Sequence, residues 1–158
     1  MSVLAAVSVR DDILIAMKDV LELMTDENGD RLWNGVVYGD LDTLGHNELP
    51  AACIDAGPDR PDPDTQTHWK TDKTMIVTVG FQFARDDTGE VDNYRQFEVY
   101  YAKLVSALLP DMSIGGAIMI REAGAGSEIE GRGDPRPGGY CLFEVVYRHA
   151  RANAAGKP

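Results

Sequence analysis

A chain of 158 residues, 44% hydrophobic and 26% charged, has the size and balance of one globular domain that buries a core without disulfide or metal staples. Its formal net charge of -11 argues against a protein that grips nucleic acid or an anionic membrane, because both need clustered Lys and Arg. Two cysteines, Cys53 and Cys141, lie far apart in apolar runs and read as small buried hydrophobes, not as a disulfide framework. The opening MSVLAAVSVRDD has no basic start, and its apolar run is too short for a signal peptide or a membrane span, so the expectation is assembly in a reducing cytoplasm with no membrane partner.

In chain order, SVRDDILIAMKDVLELMT predicts a first helix. Ser8 is its N-cap, with Asp11 three residues on, and Ile13, Ala16, Met17, Val20, Leu21 and Met24 form one apolar face. DENGD ends it in a turn. GVVYGD, from Gly35 to Asp40, is a short strand, LGHNELP a loop, and AACIDA a second strand. The run from Gly57 to Thr67 reads as a stiff acidic loop, since Pro58, Pro61 and Pro63 remove backbone donors. KTMIVTVGFQFARDD is a strand of period two, with Met75, Val77, Val79, Phe81 and Phe83 on one face. DDTGE is a turn. DNYRQFEVYYAKLVSALLP is a second helix, capped by Asp92, stopped by Pro110, with a stripe of Tyr94, Phe97, Tyr101, Leu104, Val105 and Leu108. GGAIMIREAG is a strand, and Gly124 to Gly139 a long Gly- and Pro-rich loop. YCLFEVVYRHA closes the sequence of strands with Cys141, Phe143, Val145 and Tyr147 on one side.

The order α-β-β-β-α-β-β predicts an α+β fold: a mainly antiparallel sheet with two helices packed on one face and long flexible loops. One domain is expected over 1–158, with a core at about 9–148 and a flexible tail at 149–158.

Motifs for chemistry are weak. His46, His68 and His149 are scattered, with no HExxH or CxxC, so no zinc site is expected. In DENGD, Asp26, Asn28 and Asp30 alternate as in a calcium loop, but the glycine comes early and Val37 stands where the bidentate Glu belongs. GAGSEIEG lacks the GK[ST] ending of a phosphate loop, and Ile129 replaces the third glycine of GxGxxG. RGD, Arg132 to Asp134, is three residues in a glycine-rich loop. Asp11-Asp12 and Asp86-Asp87 sit at a helix start and a turn, and no GxSxG elbow is present. The expectation is no catalytic residue, no cofactor and no metal.

The strings GVVYGD, LPAACIDAG with its acidic loop, TMIVTVGFQF, VYYAKLVSALL, LPDMSIGGAIMIRE and GYCLFEVVYR, in this order after an N-terminal helix, carry a resemblance over about Asp11 to Arg148. The chain resembles the tail terminator (tail completion) proteins of long-tailed bacteriophages. The resemblance implies a structural virion protein, not an enzyme. It would form a ring, typically hexameric, that caps the tail tube, stops its polymerisation and offers the head-docking surface. It implies three partners: copies of itself, the tube protein and a head or neck connector. DNA would cross the lumen without specific binding, a passage that the acidic balance suits. The place implied is the head-proximal end of the virion tail, after assembly in the host cytoplasm. The segment AGSEIEGRGDPRPGG is long for the family pattern, so the resemblance gives it no role.

Arms on a rigid sheet fit a subunit that must join neighbours by heterologous contacts. The candidate interface residues are those of the mixed-charge strings: Asp59, Arg60, Asp62 and Asp64 in one arm, and Glu128, Glu130, Arg132, Asp134 and Arg136 in the other. Two alternatives remain open. One is a connector, neck or other minor tail protein. The other is a small ligand-binding or hydrolytic α+β domain with a polar pocket between helix and sheet.

Overall fold

The computed structural model describes residues 8–42, 44–67, 70–86, 92–129 and 134–150, apart from the side chains of His46 and Ala150. His68, Asp87 and the rest of its turn to Glu90, Glu130, Arg132 and the tail from Arg151 lie outside the described residues. Helix α1 spans Val9–Leu23 and α2 spans Asn93–Leu108; the strands are β1 Gly35–Tyr38, β2 Ala51–Pro61, β3 Lys70–Gln82, β4 Met119–Glu128 and β5 Gly138–Ala150. The predicted order holds, and the class is α+β.

Each helix starts where a side chain can satisfy its first free N–H groups. Ser8 Oγ accepts from the Asp11 N–H at 3.1 Å, and Asp92 Oδ1 accepts from the Arg95 N–H at 2.8 Å. The strands form one sheet in the order β1-β2-β3-β5-β4. All neighbours are antiparallel except β1 and β2, whose parallel register pairs Gly35 with Ala51. A parallel pair needs a crossover, and here the segment between Tyr38 and Ala51 supplies it. That segment buries Leu41 and Leu49 with Ala51 in a small second core.

The main core lies between the sheet and the helices. Met75, Val77, Val79, Phe81 and Phe83 of β3 and its extension, and Cys141, Phe143, Val145 and Tyr147 of β5, are all buried, as their alternation predicts. Ile13, Met17 and Leu21 meet them from α1, and Phe97, Leu104 and Leu108 from α2. The α2 stripe differs from the prediction at its start: Tyr94 is 54% exposed, while Tyr100 turns inward. Trp33 explains the rotation. Its ring lies 5.3 Å from that of Tyr100, which also stacks on Phe83 at 5.0 Å, so aromatic packing sets the helix's roll. The turn Ile114–Gly116 locks α1 in place. Gly115 has φ +61, and a Cβ there would lie 2.5 Å from Ile13 Cα, so only glycine allows the contact.

Both predicted arms are corrected. Gly57 to Thr67 is not a loop throughout: β2 continues to Pro61, pairing Asp59 with Met75, Arg60 with Thr74 and Pro61 with Lys73. The prolines are tolerated for two reasons. Pro58 falls in the bulge between Ala56 and Asp59, where the ladder needs no donor, and β1 pairs only as far as Ile54, leaving this half of β2 as a sheet edge. Likewise, Gly124 to Gly139 is strand at both of its ends. β4 runs to Glu128 and β5 begins at Gly138, with a bulge between Glu122 and Gly124. β5 also runs on to Ala150, so the predicted tail loses its first two residues to the sheet.

Candidate functional site

The charged candidates sit on two hairpin ends. From Lys73, opposite Pro61, to Gln82, opposite Gly138, β3 spans the sheet, so the hairpins lie at opposite ends of the strands, roughly 30 Å apart at the rise of a strand.

At the β2–β3 end, Asp59 is a fastening. The Tyr147 hydroxyl donates to Asp59 Oδ2 at 2.5 Å, and Arg10 Nη1 lies 3.5 Å from Oδ1, an ion-pair distance and not a hydrogen bond. Arg10 Nη2 also donates to the Gly57 carbonyl at 2.7 Å. Burial, then the bond to Asp59, pushes the Tyr147 phenol well above its ordinary range. Three elements meet at this carboxylate, so it holds the hairpin end to α1 and β5. Asp62 is also engaged: Oδ1 accepts from the Asp64 N–H at 3.0 Å, and its own N–H donates to the Asp72 carbonyl at 2.9 Å. Asp72 in turn takes Arg148 Nε at 2.9 Å. Of the candidate charges of this end, Arg60 and Asp64 are exposed, and neither side chain has a partner among the described residues.

At the β4–β5 end, Glu128 is exposed opposite Gly138. Asp134 Oδ1 accepts from the Arg136 N–H at 2.9 Å. Arg136 Nη2 donates to Gln82 Oε1 at 2.8 Å and to the Leu41 carbonyl at 3.3 Å, pinning the turn to β3 and to the crossover segment. Arg136 is therefore a clamp, not a free interface charge.

The described residues offer little for covalent chemistry. Burial, then Glu122, pushes the Cys141 thiol up to about 12, and burial also raises Cys53, so both stay protonated at neutral pH and are poor nucleophiles. Tyr101 donates a short hydrogen bond to Glu122, which, with burial, lifts its phenol to about 12. No three His, Cys, Asp or Glu side chains among the described residues gather as a metal site. No described helix is long and apolar enough to cross a membrane. An open groove of about 650 Å³ runs between α1 and α2, lined by Val20, Leu23, Met24, Ala102 and Ala107, with Lys103 at its side. It lies between the helices, not between helix and sheet, and its lining is mostly apolar.

Sequence reasoning missed Arg10 and Tyr147, and also a recess formed by Pro61, Gln66, Thr71, Lys73 and His149. Only the strand register brings these together, and no local motif signals it. No protein-family model matches the chain, and no curated protein matches it.

Proposed function

We propose that this protein is a structural subunit of a phage tail, a tail terminator whose ring caps the tube, stops its growth and receives the head. The observation that carries the reading is one continuous sheet with an exposed, charged hairpin at each end. A subunit that must meet a tube on one side and a neck on the other needs contacts at both ends of a stiff element, and this sheet supplies them. The observed element order also follows the strings on which the family resemblance rests.

The ring is a homo-hexamer, its partners the tube protein and a head or neck connector. Neighbours in a closed ring meet by two different patches. Ile15, Leu23 and Val99 on the helices are exposed apolar side chains available to such a contact. Of the candidate charges at the hairpin ends, Arg60, Asp64 and Glu128 are left free among the described residues to select a partner. The net charge of -11 keeps DNA in transit from adhering to the lumen.

Electron microscopy of tails assembled without this protein tests the proposal: overlong, headless tubes are expected, and tails of normal length would overturn it. A neck subunit would use similar surfaces. Gold labelling separates the two, since a terminator marks the tip of free tails and a neck protein marks DNA-filled heads.

A further inference from the structure

Alternation on β3 and β5 puts Thr71, Lys73, Tyr147 and His149 on the face that also carries Met75 and Val145. Tyr147 is spent on Asp59. The others, with Pro61 and Gln66 of the hairpin, line a recess of about 290 Å³. Neither the Lys73 ammonium nor the Gln66 amide has a hydrogen-bond or ion-pair partner among the described residues. The charges facing this place are Arg10 from α1 and Asp59 from β2, already paired with each other. Asp72 and Arg148, on the opposite face, pair with each other too.

We propose that this recess is a binding site for a singly charged carboxylate, held by the Lys73 ammonium, with Gln66, Thr71 and His149 supplying hydrogen bonds. Burial first, and Lys73 second, hold the His149 imidazole below its ordinary range, so at neutral pH the recess offers one positive charge. One charge matches a monoanion. A phosphate dianion would carry an unmatched charge close to Asp59. The carboxylate comes either from an acidic side chain of another protein chain or from a free small acid. The site stands whether or not the protein caps a tube.

His149 reports on the occupant, because a bound anion favours the imidazolium. The test follows the His149 resonances of the full chain by NMR across a pH titration, with sodium acetate, inorganic phosphate or the peptide DRPDPD against sodium chloride of equal ionic strength. Acetate raises the His149 midpoint by about half a unit or more. Lys73→Gln abolishes that response, and Lys73→Arg retains it. A peptide that binds at least tenfold more tightly than acetate identifies a protein chain as the source; equal binding identifies a free acid. A midpoint identical in acetate and chloride overturns the site. Phosphate binding tighter than acetate at about pH 8 or above, where phosphate is mostly the dianion, overturns the assignment to a monoanion, and a Lys73→Gln protein that responds like the parent overturns the role of Lys73.

Discussion

The two hairpin ends hold their shape by different means. The β2–β3 end is fastened by charge: Arg10 from α1, Asp59 from β2 and Tyr147 from β5 converge on one point. The β4–β5 end is fastened mainly by space. Gly138 and Gly139 are buried, and a Cβ on Gly138 would sit inside the contact distance of the Phe81 carbonyl oxygen. The first end should therefore yield to changes in ionisation, and the second to added atoms. This contrast also bears on function, because a contact surface must be held by something other than the groups it presents.

The largest effect is expected from Gly138→Ala. The obstructing atom is backbone of β3 and cannot swing aside, so the strands must part. A loss of about 3 kcal/mol in urea unfolding is expected, at the upper end of overpacking costs. A loss below about 1 kcal/mol would mean that the ladder there gives way easily, and the spatial account of this end would fail.

Asp59→Ala comes next. It strands a buried tyrosine hydroxyl and leaves Arg10 without its anion, at a cost of about 2 kcal/mol in the same measurement. Tyr147→Phe removes the donor and leaves Asp59 its arginine, so it should cost less.

The Asp59 fastening also fixes a pH dependence. Tyr147 ionises at higher pH in the folded chain than a free tyrosine does. Its contribution is fully present below the ordinary phenol value of about 10 and is lost as pH rises beyond it. Tyr101, lifted to about 12 by Glu122, loses its contribution with the same sign. Amide exchange followed from about pH 8 upward should show the ladder between Asp59–Pro61 and Lys73–Met75 loosening, and Tyr147→Phe should remove that part of the response while sparing the part from Tyr101. An unchanged alkaline profile in Tyr147→Phe would mean that the phenol is not what closes this end.

Much of the fold could be read because burial imposes a period. Met75 to Phe83 and Cys141 to Tyr147 alternate without interruption, and Ile13, Met17 and Leu21 recur every four residues. The reading failed where pairing, not composition, decides. Pro58 and Pro61 are loop residues by propensity, yet β3 extends far enough to pair with Asp59, Arg60 and Pro61. Gly124 to Ser127 has no apolar rhythm, but β5 pairs with it all the same. At the candidate interface, composition gave the charges but not their employment. Asp59 and Arg136 look like Arg60 and Asp64 in the sequence, and only contacts distant along the chain distinguish them: Arg10 and Tyr147 with Asp59, and Gln82 and Leu41 with Arg136.

That distinction yields the prediction with the smallest effect on folding. Deleting Asp59 to Asp64 would remove ladder strand and fastening together, so a failed assembly would say nothing about docking. The double variant Arg60→Ala, Asp64→Ala changes only exposed side chains that lack partners among the described residues, and its stability should stay within about 0.5 kcal/mol of the parent. If this end docks onto the tube or the neck, the folded double variant should still fail to complete tails, with overlong tubes in micrographs. If it completes them normally, the charges of this hairpin are solvated and idle, and docking must rest on the opposite end or on the helices.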